Sequence, residues 1–354
     1  MGTWDLVQSR SANTVNEITN ITNSVGSAWA NPVYDPNGNM TSLPKPAAPQ
    51  SALTGTFDAW NRAVKFVDAT SGNTVQTNAY DGLRRRTIKQ AYTSGTLSET
   101  RHLYYSSAWQ VLEERVGTST NAQRQFVWGL RYIDNLVLRD RDTTGGGTLN
   151  ERLYALQDPN WNVVGLSDSS GNTQERYSYD AYGMPTFLTA AFGSRSSSSY
   201  AWETLFAGYR YDADTGLYLA RNRILDPRTG SWAQRDPAGY PDGMSSYEYG
   251  ISAPLRRTDP MGRQSDAVTA VTQGRSPEQM MEREGFRATA RGWQEKGLRP
   301  AYLDWFCDTN PSAPACAIVW NTGCKGVVSS FLGVSIQTPS ALSRCYANGQ
   351  DASP

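Results

Sequence analysis

Histidine is almost missing from this chain: His102 is the single one among 354 residues. Chemistry that needs an imidazole has no residue to draw on after position 263. That excludes His-dependent nucleases, zinc–histidine hydrolases and Cys–His nucleophile pairs from the C-terminal region. His102 itself, in the run RHLYY, reads as structural. Cysteine is absent until Cys307, Cys316, Cys324 and Cys345. These spacings contain no C-x-x-C, so two disulfides fit them better than a four-thiolate metal site, with unpaired structural thiols as the third possibility. Disulfides would place that region in an oxidising compartment. Net charge is lacking too, because 33 Lys+Arg balance 33 Asp+Glu. Bulk electrostatics therefore give no support for a nucleic-acid or membrane-surface partner. No apolar run approaches the roughly 18 residues that would indicate a membrane span. The start, Met1-Gly-Thr-Trp-Asp, lacks the basic and apolar regions of a signal peptide. There is no Gly-rich phosphate loop and no basic stripe. No metal and no cofactor are expected.

What the chain has instead is aromatics and turns. Nineteen Tyr, eleven Trp and 31 Gly favour a turn-rich β protein over a helical one. A period is visible in the pairs Tyr34-Asp35, Phe57-Asp58 and Tyr80-Asp81, spaced 23 residues apart, with Tyr104 following after 24. Each of the first three opens a similar turn: YDPNGNM, FDAWNRAV and YDGLRRRT. An aromatic residue ends a strand, Asp with Gly or Asn makes the turn, and an apolar or β-branched strand follows. Strands are expected at 63–67, 74–79, 86–90, 103–105, 111–116, 125–128, 133–139, 152–156, 163–167 and 173–179. Repeats of 20–25 residues without helical pattern indicate a stacked architecture in which each unit buries its face against its neighbours. Three stretches read as loops: PKPAAP at 44–49, which cannot continue a ladder, the TTGGGT tip at 143–148, and a mobile serine-rich insertion at 192–200.

Residues 221–263 carry Asp226, Asp236 and Asp259, each followed by Pro, and mark a change in composition. Asp-Pro is a common turn opener and also occurs at Asp35 and Asp158. The LDPRTG run makes Asp226 a structural turn residue.

The chain resembles the Rhs/YD-repeat family over about residues 13–263. The resemblance rests on YDPNGNM, FDAWNR, YDGLRRR, ERYSYDAYG, GYRYDADTGLYLARNRILDPRTGSWAQRDPAGY and GMSSYEYGISAPLRRTDPMG. It implies a mainly β fold: a strip of YD hairpins forming part of a spiral shell. Residues 1–207 would be shell repeats and 208–263 the repeat-associated core segment that plugs it. Residues 264–354 would be a variable, α-containing, Cys-bearing region. Bacterial members of the family often enclose a C-terminal polymorphic toxin; teneurins carry a related barrel used in cell adhesion. About 250 residues of repeat are few for a closed cage, which implies either the end of a longer protein or an open shell with an unpaired, aggregation-prone N-terminal edge.

In family members that release their cargo, the core segment resembles an aspartyl self-protease with two carboxylates and one arginine. Motif for motif, Arg223 takes the arginine position, and Asp236 and Asp259 take the two acidic positions. The expected cut follows the terminal DPxG motif, between Arg263 and Gln264. Cleaving relatives commonly have Leu where this chain has Arg263. A Leu there would fill an apolar pocket that aligns the bond, whereas a buried guanidinium is costly.

After Arg263 the tyrosine repeats stop. Ser276-Pro277-Glu278-Gln279 reads as a helix start, with Ser as N-cap and Pro at the first helical position. The expected partners are the chain's own C-terminal region as cargo and, by the resemblance, an immunity protein or a cell-surface ligand. The expected location is secreted or at the cell surface, as part of a larger or exported protein. The alternative is an adhesion or carbohydrate- or protein-binding module without catalysis.

Overall fold

The computed structural model describes residues 5–263 and 265–267. Gln264, the four cysteines and the expected helix after Ser276 lie outside them. The described residues form strands and two 3-10 turns, without an α-helix.

A separate hairpin comes first, β1 (Val7–Ala12) and β2 (Ile18–Val25). Fifteen antiparallel strands follow in one sheet, in strict chain order. They begin with β3 (Val33–Tyr34), β4 (Met40–Lys45), β5 (Ala48–Phe57), β6 (Ala63–Asp68) and β7 (Thr74–Tyr80). The middle of the sheet is β8 (Arg86–Thr93), β9 (Thr96–Tyr105), β10 (Val111–Val116), β11 (Arg124–Trp128) and β12 (Leu136–Arg141). It ends with β13 (Glu151–Gln157), β14 (Val163–Ser167), β15 (Thr173–Tyr179), β16 (Pro185–Thr189) and β17 (Ser194–Arg195). All ten strands expected from the sequence are present, three with the expected bounds (111–116, 163–167 and 173–179) and the others with shifted ends. The strand placed at 133–139 starts only at Leu136, because Asp134 is drawn into a buried ion pair with Arg221.

The repeat is a turn design. Asp58 Oδ1 accepts the backbone N–H groups of Trp60 and Arg62, while Oδ2 takes the Arg62 guanidinium at 2.7 Å. Asp81 holds Leu83 and Arg85 in the same way. Asp35 and Asp158 use Asn39 and Asn162 for the same purpose. The chain turns where Asn61 and Arg84 adopt positive φ, of 59° and 69°. At the equivalent Gly38 a Cβ would sit 2.5 Å from the Tyr247 hydroxyl, so only glycine lets the core segment approach.

Two loops differ from expectation. The 44–49 stretch is a tight hairpin between β4 and β5, with Lys45 opposite Ala48. Pro46 sits in the turn, where its fixed φ is an asset, and its carbonyl accepts Arg228 Nε at 2.9 Å. Pro44 is tolerated because β3 pairs β4 only as far as Ser42, leaving that side without a ladder to supply. The serine-rich insertion is fastened by the buried Glu175 carboxylate, which takes Ser199 N–H at 2.9 Å, the Ser198 hydroxyl and Arg195. The 143–148 tip is likewise closed around Asp142, which accepts three backbone N–H groups.

One face of the sheet is apolar and covered. Leu103, Val111, Phe126, Leu136, Leu153, Val163 and Tyr177 pack against Trp202, Phe206, Tyr209, Tyr218, Trp232 and Tyr249 of the segment after β17. Met40, Leu43, Leu53 and Phe66 pack on Leu217 and Ile224. That segment carries a small sheet: β18 (Arg210–Asp212), β19 (Leu217–Ala220), β20 (Arg223–Asp226) and β21 (Ser231–Trp232). A last pair, β22 (Arg257–Thr258) and β23 (Asp266–Ala267), closes the described chain.

Candidate functional site

The hairpin of β19 and β20 turns in two residues, Arg221 at φ 52° and Asn222, with Ala220 opposite Arg223. Arg221 fixes this turn by donating to Asp134 Oδ1 at 2.7 Å and to the Pro260 carbonyl. Asn222 Nδ2 donates to the Met261 carbonyl at 2.9 Å, so the 259–262 loop rests on the hairpin tip. Gly262 lies in this contact at φ 64°, and a Cβ there would meet the Ala220 carbonyl at 2.5 Å. No other residue fits without moving the hairpin.

Arg223 opens β20 with its side chain buried, its guanidinium 4.2 Å from the centre of the Trp232 ring. It gathers the site. Nη2 meets Asp236 Oδ2 at 2.9 Å and Asp259 Oδ2 at 2.7 Å. Nε donates to the Gly262 carbonyl at 2.7 Å and Nη1 to the Ser246 carbonyl at 3.1 Å. The three residues expected from the sequence to act together are thus in contact, although Arg223 and Asp259 stand 36 positions apart.

The two carboxylates are held differently. Asp259 stands in a turn of the repeat's design: its Oδ1 accepts the N–H of Arg263, four residues on, at 2.9 Å. In the structural turns Oδ2 belongs to the side chain at that fourth position; here it belongs to Arg223. The Asp259 N–H donates to the Tyr209 hydroxyl at 2.8 Å. Asp236 accepts the Ala238 N–H at 2.7 Å. Burial pushes the Asp236 carboxyl up to about 7; Arg223 opposes that shift, and the nearby Asp259 and Asp242 add to it.

Arg263 is half-buried, and its Nε is buried without a hydrogen-bond partner among the described residues. Its charge acts on Arg84, which is drawn below its usual range by burial first and then by Arg62 and Arg263. Asp226 stays out of the site. It caps its own turn through Arg228 N–H at 2.8 Å and the Thr229 hydroxyl at 2.9 Å, and burial lifts it to about 6. His102 lies within β9 opposite Ile88 and Arg115, away from the site. No cluster with the makings of a metal site occurs among the described residues.

Asp242 is the acidic residue that motif reading passed over. Its Oδ2 accepts the Ser265 N–H at 2.6 Å. Burial raises it above the ordinary carboxylate range, with the Asp259 charge adding to that and Arg223 opposing it. The only signal in the sequence was Pro241-Asp242-Gly243, which reads as an ordinary turn.

No family model matches the chain. It is 30% identical over 261 residues to the tRNA3(Ser)-specific nuclease WapA of Bacillus spizizenii, and 28% identical over 261 residues to the tRNA nuclease WapA of Bacillus subtilis. Each match covers 72% of this chain and 10% of the relative. The toxin protein Tse5 of Pseudomonas aeruginosa is 25% identical over 251 residues, covering 58% of this chain and 18% of Tse5. The chain therefore spans about a tenth of the length of the WapA proteins it matches. Among solved structures, the TcdB2-TccC3-Cdc42 crystal structure aligns with a TM-score of 0.50 at 17% identity, over 75% of this chain and 14% of that one. The structural likeness is one of fold, a nearly all-β chain of large antiparallel sheets like those of the Tc-toxin Rhs shell.

Proposed function

We propose that this chain is the closing segment of a polymorphic-toxin Rhs shell, and that its plug cuts the chain once, between Arg263 and Gln264, to release the region after it as cargo. The observation that supports this reading best is Arg223 Nη2 bridging Asp236 and Asp259 while its Nε holds the Gly262 carbonyl. That grip falls one residue before the candidate bond. The likeness to nuclease and toxin proteins favours a released effector, secreted or displayed at the cell surface.

The chemistry follows from the environments. Asp236, lifted to about 7, carries a proton near neutrality. Asp259 accepts a proton from water, whose oxygen bonds to the Arg263 carbonyl carbon. The carbon–nitrogen bond breaks, and Asp236 gives its proton to the Gln264 nitrogen. One proton enters the pair and one leaves. The Arg223 guanidinium keeps the two carboxylates adjacent and offsets the developing negative charge. Bond and catalyst share one chain, so the effective concentration is high and one turnover suffices.

The test is mass spectrometry of the purified protein. Self-cleavage produces a fragment ending at Arg263, absent from Asp236→Asn and Asp259→Asn. An intact 39.0 kDa chain in all three proteins would sink the reading. A purely adhesive role draws less support from the tryptophans: Trp161, Trp202 and Trp232 are buried packing residues, while Trp60 is exposed.

A further inference from the structure

Three carboxylates are tied to residues flanking the candidate bond or to the Arg223 that grips them, and the third has no part in the scheme above. Asp236 and Asp242 ride on one loop, closed by Asp236 N–H donating to the Ser246 carbonyl at 3.1 Å. That same carbonyl accepts Arg223 Nη1 at 3.1 Å. The loop thus delivers Asp236 to Arg223 on one side and Asp242 to Ser265 on the other. The candidate bond lies between these two grips. Before it, the Gly262 carbonyl is held by Arg223 and the Arg263 N–H by Asp259. After it, the described holds are the Ser265 N–H on Asp242 Oδ2 at 2.6 Å and the pairing of Thr258 with Asp266 and Arg257 with Ala267. Ser265 is itself buried. The candidate bond therefore falls in the stretch that joins β22 to β23, and the returning strand is only two residues long. Such a short pair is weak by itself, so the charge-assisted bond to Asp242 carries much of the hold on that side.

We propose that Asp242 is a positioning residue of the self-cleavage: it anchors the backbone just beyond the cut, so that the bond after Arg263 stays in reach of Asp236 and Asp259. The inference rests on the self-cleavage reading. It extends that reading from a pair of acids to a third acid with a separate task. Asp242 moves no proton in the scheme and acts through the backbone it holds.

The experiment follows fragment formation over time in freshly synthesised full-length protein. Asp242→Ala removes the acceptor and slows cleavage by about 100-fold, the scale expected when a reacting bond drifts by an ångström. Asp242→Asn keeps an oxygen acceptor for the Ser265 N–H while losing the charge, and recovers the rate to within a few-fold of the parent. Alanine cleaving at the parent rate, or asparagine no faster than alanine, overturns the proposal.

A second measurement separates this from failure of the cleavage reading. In the Asp236→Asn background the chain stays whole, and amide exchange at Ser265 is read directly. Asp242→Ala strips its protection there while the amides of β19 and β20 stay protected, which shows that the plug has folded; Asp242→Asn retains it. Unchanged Ser265 protection in the alanine protein overturns the anchor. A parent that never cleaves overturns the self-cleavage and the positioning role with it, and exchange still decides whether the anchor exists.

Discussion

At the scale of single residues, Asp236 and Asp259 share one guanidinium but not one environment. Desolvation lifts Asp236 to about 7, so its proton leaves within the physiological range. If that proton goes to the leaving nitrogen, the cleavage rate is level below pH 7 and falls as the pH rises through it, about tenfold per unit beyond. Timed fragment yields across about pH 5 to about pH 9 check this, and a rate that rises above neutrality would exclude Asp236 as the acid. Stability carries the same sign. The folded state binds this proton more tightly than the unfolded chain, so stability declines as pH climbs from the ordinary carboxylate range through about 7.

Arg263 makes a second prediction. In the structural turns the fourth residue after Asp is Arg62 or Arg85, and its guanidinium returns to Oδ2. Arg263 occupies that place relative to Asp259, but there Arg223 holds Oδ2, and the buried Arg263 Nε lacks a partner among the described residues. Arg263→Leu removes the cost of burying that unpartnered Nε and takes a like charge away from Arg84. Cleavage should quicken by about tenfold, equivalent to about 1.4 kcal/mol of barrier. A leucine protein that cleaves no faster than the parent would show that Arg263 is not the brake.

At the scale of elements, the YD turn explains why so much of the sheet was legible. The signal is local: an Asp whose two oxygens bind backbone and side chain within four residues, preceded by an aromatic strand end. Asp81 shows what one such residue contributes, holding the N–H groups of Leu83 and Arg85 and the Arg85 guanidinium. It also stabilises Arg84 at φ 69°, which is unfavourable for a side-chain-bearing residue. Asp81→Ala should cost about 1–2 kcal/mol in a denaturant titration, and Asp81→Asn, which keeps the Oδ1 contacts, should cost less. Equal losses would mean that the turn depends on the charge alone. Where the signal was not local, reading failed. The 44–49 hairpin looked like a break because its three prolines hide a turn that suits Pro46. The serine run looked mobile because its anchor, Glu175, is more than twenty residues away. The candidate site was legible only through its motifs, and Asp242 was missed because its partner is a backbone N–H 23 residues on.

At the scale of the molecule, the fifteen-stranded sheet has two ends, and the N-terminal one is less open than a truncated array would imply. β3 is two residues long, and β2 leans on it through Ile18 N–H to the Tyr34 hydroxyl at 3.3 Å and on the stretch before it through Ile21 N–H to Asn31 Oδ1 at 2.8 Å. A short, covered edge offers little ladder for another chain to join.

The sheet and plug are joined by buried charge as well as by apolar packing, and none of that joining was visible in the sequence. Arg86 donates to Asp212 across 126 positions, with Lys89 3.3 Å from the same carboxylate. Arg101 and Arg210 both meet Glu203, at 2.8 and 2.6 Å. Burial alone would raise Asp212, but Arg86 and Lys89 outweigh it and hold the carboxyl far below its usual range. Removing one partner of such a pair strands the others. Asp212→Ala leaves Arg86 buried without its counter-charge and Lys89 with Asp214 alone, and should cost about 3–5 kcal/mol. Replacing Arg86 and Lys89 by Met in the same protein removes the stranded charges, and most of that loss should return. Denaturant unfolding of the parent, the single variant and the triple variant decides it. A triple variant as unstable as the single one would mean that the sheet and plug depend on these charges for more than mutual neutralisation.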